Sequence, residues 1–301
     1  MPLPQLRPLG FGEILDGSFS LYRRYFLTLF LTALLPFIPI TLASWMMTRQ
    51  SAMLAAETAG PETVGWFAIF GLVSALGFLL LWGAVTRQLS QALTGGSVEL
   101  ADGYGAGLRA FFPLLGAALL AFLAFVAVGV VLAIMIGIVG VLGAGVLGAG
   151  ASGTAAGVMG VVVGLLFVVL GFGVLAAMFA VVPAVVVEHK GPWAALKRSW
   201  QLSGGARLRI VGVALVGYLI VFLPMLGVMF ATGMASTMWD PAAGAMLSAR
   251  QLAFQQMVGL LSGALTFPFF IGCFVLLYYD RRVRTEALDL EMAAEGLALA
   301  T

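Results

Sequence analysis

Side chains able to do acid–base or nucleophilic chemistry are few and scattered in this sequence. There is one histidine, His189, and one cysteine, Cys273. His189 follows Glu188, and these two with Asp280 are the only titratable candidates near a basic edge of a long apolar run. General acid–base catalysis needs groups within hydrogen-bond reach of the same proton, and a nucleophile needs an adjacent base. No Gly-x-Ser-x-Gly elbow, His-Glu-x-x-His helix or phosphate loop supplies such a pairing. GAGVLGAG at 143–150 has glycine spacing but neither a lysine nor a preceding strand. Cys273 lies inside an apolar run, where a thiol behaves as a small buried hydrophobe. A single cysteine forms no intramolecular disulfide and no cysteine-cluster metal site. The expectation is no catalytic residue, no metal and no cofactor.

The elements that would have to position these groups belong to a membrane. Of 301 residues, 62% are hydrophobic and 9% charged, with mean hydropathy +1.09. Soluble domains carry roughly a quarter charged residues, and water could not hide this much apolar surface in one core. Five apolar stretches are separated by charged junctions: Tyr25–Met47, Gly65–Val85, residues 110–187, Ile210–Ala231 and Leu252–Tyr279. A helix needs about 20 apolar residues to cross about 30 Å of hydrocarbon, and membrane strands would show short alternating segments instead. The uncharged stretch 110–187 holds two helices, about 111–139 and 158–182, joined by the glycine-rich GAGVLGAGASGTAAG, because glycine disfavours helix interiors. The predicted fold is an all-α integral membrane protein of six spans, at about 25–47, 65–85, 111–139, 158–182, 210–231 and 252–279. Residues 1–284 form the membrane domain and 285–301 a short cytoplasmic tail.

Charge placement sets the expected orientation. The opening MPLPQLRP has no apolar core of a cleavable signal, and Arg23 and Arg24 precede the first apolar run. With six spans and a cytoplasmic N-terminus, thirteen cations fall inside and two, Arg49 and Arg250, outside. A seventh span would move Lys190 to Arg209 outward. No Asp, Glu, Lys or Arg falls within a predicted span.

Three segments on the basic side share a plan. GEILDGSFSLYRRYF at 12–26 and VELADGYGAGLRAFF at 98–112 share Glu13/Glu99, Asp16/Asp102, Gly17/Gly103, Arg23/Arg109 and Phe26/Phe112. GPWAALKRSWQLSGG at 191–205 has the same character without those identities. Helical spacing groups Phe11, Ile14, Leu15, Ser18, Tyr22 and Tyr25 in the first, and Leu100, Ala101, Tyr104, Leu108 and Phe111 in the second. Ser97 is the expected N-cap of the second. Trp193, Leu196 and Trp200 form the expected apolar side of the third, with Pro192 at its first position. The reading is three copies of amphipathic interfacial helix, span, outer loop and span.

Pro36, Pro39, Pro224 and Pro268 stand inside spans and are expected to kink or locally unwind them. Ser262 and Thr266 are placed to satisfy carbonyls freed by Pro268. Gly164, Gly171 and Gly173 are read as points of close helix contact.

RPLGFGEILDGSFSLYRRYF (7–26), VVPAVVVEHKGPWAALKRSWQLSGG (181–205) and LLYYDRRVRTEALDLE (276–291) together resemble a family of bacterial membrane proteins related to the membrane domain of glycerophosphoryl diester phosphodiesterase. Members of that family often carry Leu where Arg281 stands and Gly where Ala287 stands. The resemblance implies the membrane architecture. It does not imply phosphodiester hydrolysis, which belongs to a separate soluble domain rich in carboxylates and histidines.

The functional expectation is a non-catalytic multi-pass protein of a bacterial plasma membrane that organises lipid or recruits a membrane or cytoplasmic protein. Anionic headgroups would meet Arg23, Arg24, Arg109, Lys197, Arg198, Arg207, Arg209, Arg281, Arg282 and Arg284. The alternative is a transporter or flippase of a lipid-like or weakly polar substrate, motivated by the span prolines. Cations spread along membrane junctions argue against a nucleic-acid partner.

Overall fold

The computed structural model describes residues 7–54, 61–147, 152–231 and 249–288, and among them there are helices and no strands. In chain order the helices are α1 (Phe11–Arg24), α2 (Phe26–Leu54), α3 (Pro61–Thr94), α4 (Leu100–Leu147), α5 (Ser152–Met178), α6 (Val181–Val186), α7 (Pro192–Ser203), α8 (Arg207–Ala231) and α9 (Ala249–Glu286). Six are long and apolar enough to cross a bilayer: α2, α3, α4, α5 continued by α6, α8 and α9. Backbone groups in hydrocarbon must be satisfied within their own segment, so an apolar chain of this composition settles into helices. Residues 289–301, most of the predicted tail, lie outside the described residues.

The apolar runs are legible, but helices overshoot them. The second extends to Thr94 and the sixth to Glu286, carrying Arg87 and Asp280 to Arg284 in helical continuation of the spans. The largest departure is α4, whose 48 residues would measure about 72 Å at 1.5 Å per residue. It fuses the second expected amphipathic segment to the third span. Tyr25 separates α1 from α2 with ψ at 27°, but nothing interrupts α4 between Leu100 and Phe112. Ser97 is therefore not an N-cap, because the helix begins three residues later, with Asp102 in its first turn.

The prolines do not break their helices. Pro36 and Pro39 sit within continuous α2, Pro224 within α8 and Pro268 within α9. Ser262 Oγ donates to the Val258 carbonyl at 2.6 Å and Thr266 Oγ1 to the Ser262 carbonyl at 2.7 Å. Neither reaches Ala264, whose carbonyl Pro268 leaves without its i+4 donor.

Helix α9 is the axle of the bundle, packing against α1, α2, α3, α7 and α8. Ile271, Cys273 and Val275 to Tyr279 are buried along it. Large apolar side chains elsewhere point outward, such as Leu27, Phe112 and Leu208, in numbers that only a lipid surround accommodates. Close backbone approach occurs between α3 and α4. A Cβ on Gly83 would lie 3.0 Å from the Gly107 Cα, and one on Gly107 would lie 3.2 Å from the Leu80 carbonyl oxygen. Gly164, Gly171 and Gly173, expected at contacts, face open space. A buried polar thread reinforces α2, α3 and α4. Gln88 Nε2 donates to Thr32 Oγ1 (2.8 Å) and to the Glu99 carbonyl (3.1 Å), and Tyr104 Oη donates to the Thr32 carbonyl (2.5 Å).

Candidate functional site at the basic end of the bundle

The alternating directions of the long helices gather the start of α1, the end of α3, the start of α4, the α6–α8 region and the end of α9 at one end. Most of the charged side chains meet there. The centre is Asp280, fully buried at the end of α9. Its Oδ1 accepts from the Leu9 N–H at 2.8 Å and from Arg284 Nε at 2.9 Å, one turn further along the same helix. Its Oδ2 lies 2.9 Å from Arg209 Nη1, an ion contact that is too far off axis to be a directed hydrogen bond. The Leu9 carbonyl accepts from Arg209 (2.5 Å) and Arg284 (2.7 Å). One carboxylate, two guanidinium groups and the N–H and carbonyl of Leu9 thus tie the N-terminal segment to α8 and α9. A buried carboxylate persists only when paired and hydrogen-bonded in this way.

A second cluster lies alongside. Arg198 of α7 places Nε 3.0 Å from both oxygens of Glu188 and its two terminal nitrogens on Glu286, with Nη2–Oε2 at 2.8 Å. The Glu286 and Glu188 carboxylates hold the Arg198 guanidinium above the usual arginine range. Tyr278 Oη donates to Glu188 at 2.5 Å, and Arg282 reaches Glu286 at 3.1 Å. Such fork-to-carboxylate contacts fix geometry as well as charge.

Helix α7 is oriented by Ser199 rather than by its tryptophans. Between α5 and α6 the helix is interrupted at residues 179–180. Buried Ser199 Oγ accepts from the Ala180 N–H (3.0 Å) and donates to the Ala177 carbonyl (2.6 Å), so one hydroxyl repairs both strands of the break. Ala195, Ser199, Leu202 and Ser203 are the buried face, while Trp193 and Trp200 point outward. The face read from the tryptophan spacing is therefore the outer one. Arg207 lies over the Trp200 ring at 4.4 Å, a cation–π contact. Arg281 donates to the Leu202 (2.9 Å) and Gly204 (2.8 Å) carbonyls at the end of α7, a place suited to a cation.

At the start of α1, the Glu13 carboxylate accepts from the Gly10 N–H at 2.5 Å and from Arg7 at 2.6 Å. This is half of a capping box, since Gly10 has no side chain to reciprocate. The Gly10 amide, then Arg7, hold the Glu13 carboxyl below its ordinary value.

The ten cations expected at headgroups thus fall into two sets. Arg198, Arg209, Arg281, Arg282 and Arg284 are engaged by carboxylates or carbonyls of the protein. Arg23, Arg24, Arg109, Lys197 and Arg207 are exposed and lie outside every ion pair among the described residues. Glu188 and Asp280, the carboxylates singled out for possible chemistry, are both in ion pairs. His189 lies apart from Asp280, on a cavity described below. No group of three His, Cys, Asp or Glu side chains is arranged for a metal among the described residues. Leu9, Ser199 and Glu286 were invisible as site residues. The usable signal was a lone carboxylate, Asp280, closing an uncharged run just ahead of three arginines.

Six membrane-length helices with a charged lock at one end define a multi-pass membrane protein. Residues 41–281 match the family model described as Domain of unknown function (DUF7847), and the chain belongs to that family. No curated protein and no solved structure matches the chain.

Proposed function

We propose that the protein is a non-catalytic module of the bacterial plasma membrane, with both termini cytoplasmic, that organises anionic lipid or recruits a protein partner at its basic face. The carrying observation is the set of exposed cations, Arg23, Arg24, Lys197 and Arg207, together with outward-facing Trp193 and Trp200, the latter under Arg207. Tryptophan favours the headgroup level, and each nearby cation adds about 1 kcal/mol of attraction to an anionic surface. In this reading α1, the first turns of α4, and α7 are the interfacial part of three successive helix pairs.

The test is replacement of Arg23, Arg24, Lys197 and Arg207 by Gln, followed by lipid analysis of purified protein. The ratio of anionic to zwitterionic lipid retained should fall. An unchanged ratio overturns the reading.

A flippase is the second reading, favoured by an apolar groove of about 560 Å³ between α3, α4, α5 and α9, lined by Phe78, Trp82, Phe122 and Phe274 among others. It predicts movement of labelled lipid between leaflets of proteoliposomes.

A further inference from the structure

A cavity of about 210 Å³ opens at the basic end, between the last turns of α3, the first turns of α4 and the segment joining α6 to α7. Its polar lining is Arg87, Arg109, His189 and Lys190, and its floor includes buried Ala110 and Val186. No carboxylate lines it. The nearest acids pair only loosely with the lining cations, Asp102 at 3.6 Å from Arg87 and Glu188 at 3.4 Å from Lys190, because Gln91 holds Asp102 while Arg198 and Tyr278 hold Glu188. Arg109 has no carboxylate partner among the described residues, and its Nε donates only to the Gly105 carbonyl one turn back. His189 is held at φ 54°, a left-handed backbone that costs a non-glycine residue energy. Helix α7 begins two residues after Lys190, and its N-cap Gly191 offers the first-turn amides no side-chain oxygen. Cations that converge on a half-enclosed space, one of them (Arg109) without a carboxylate among the described residues and two only loosely paired, suit an oxyanion of matching size.

We propose that this cavity binds a phosphate group, as a phosphomonoester or phosphodiester, with Arg109 and Arg87 supplying guanidinium forks and Lys190 a point charge. The phosphate belongs either to a lipid headgroup or to a soluble phosphate compound. The lipid source rests on the headgroup reading above; the soluble source does not.

The experiment uses the full chain in phosphate-free detergent, titrated calorimetrically with inorganic phosphate. In parallel, the chain in phosphatidylcholine nanodiscs carrying graded phosphatidic acid is assayed for bound lipid by native mass spectrometry. The variants are Arg109→Gln with Lys190→Gln, Arg109→Lys alone, and Arg250→Gln, exposed at the opposite end of α9, as an off-site control. Loss of two charge-assisted contacts should weaken binding by about 10-fold or more, while Arg109→Lys retains most of it and the control changes little. Weakening of the lipid arm alone assigns a headgroup, and weakening of the phosphate arm alone assigns a soluble ligand. Binding that is undetectable for both probes, unaffected by the cavity variants, or equally reduced by the control overturns the proposal. The Arg109 side chain is exposed and hydrogen-bonds to its own helix, so a matching melting curve separates lost binding from lost fold. Should the cavity fail while the Arg23, Arg24, Lys197 and Arg207 replacement still depletes anionic lipid, the module reading survives. The reverse pattern removes that reading and leaves the cavity.

Discussion

Leu9 and Asp280 are separated by 271 positions in the chain, yet the Leu9 amide donates directly to the Asp280 carboxylate at 2.8 Å. The same carboxylate faces Arg209 and Arg284, so it holds the N-terminal segment, α8 and α9 together. Asp280→Asn keeps the shape but leaves two guanidinium groups without a counter-charge. Removing one partner of a buried ion pair costs about 3–5 kcal/mol. The melting temperature in detergent should fall by many degrees, with the N-terminal segment becoming protease-sensitive first. A melting curve unchanged from the parent would refute the lock.

Ser199 repairs the interruption between α5 and α6. Ser199→Ala orphans the buried Ala180 N–H and the Ala177 carbonyl, at a cost of about 1–3 kcal/mol. Hydrogen exchange should quicken at Ala180 before it does in the middle of α5. Equal protection in both proteins would show that another group satisfies the break.

Two glycine substitutions should diverge in sign. Gly107→Ala drives a methyl group into the α3 backbone, and overpacking of this kind costs about 1–3 kcal/mol. Gly171→Ala meets nothing, so the better helix propensity of alanine should leave stability unchanged or raise it by up to about 1 kcal/mol. Thermal melts of the two variants decide.

Ala287 ends α9 with φ at 54°. Glycine adopts that backbone freely, whereas an L side chain pays roughly 1–2 kcal/mol. Ala287→Gly should therefore raise the melting temperature, and Ala287→Val should lower it.

The half capping box at Glu13 gives a pH dependence of defined sign. Its carboxyl is depressed below the ordinary value of 4.5 in the fold, so its contribution is complete above that value. It is lost as pH falls through the lower, folded value. Exchange of the Gly10 amide should accelerate across that acid window and should be fast at all pH in Glu13→Ala, which has no acceptor to offer. A Gly10 amide that exchanges independently of pH, after correction for intrinsic rates, would rule out the carboxylate as its acceptor.

Much of the architecture was legible because lipid imposes a coarse rule. Uncharged runs such as Ile210–Ala231 and Leu252–Tyr279 have no other stable state than a helix across the bilayer. Trp193 and Trp200 mark the apolar outer side of α7, whereas its buried side, built from Ala195 and Ser199, carries no such signal. The finer readings failed where that rule is silent. Arg209 reads as a headgroup cation because its carboxylate partner, Asp280, is distant in sequence, and Arg198 because the fold brings it Glu286 as well as nearby Glu188. Gly164 and Gly171 look like contact points since spacing alone does not reveal whether a neighbour stands opposite. Gly83 and Gly107, in different helices, are matched only by the fold.

The placement of the axle in the last long helix sets a timetable for biogenesis. Chains emerge from the ribosome N-terminus first. Helices α1, α2, α3 and α8 must therefore wait beside the translocation machinery without the surface of α9 they will finally cover. Arg209 likewise lacks its counter-charge, and the Leu9 N–H its acceptor, until Asp280 is synthesised. A nascent chain arrested before α9 carries open seams and stranded cations, features that membrane quality-control proteases can recognise, and arrival of the final helix closes both at once.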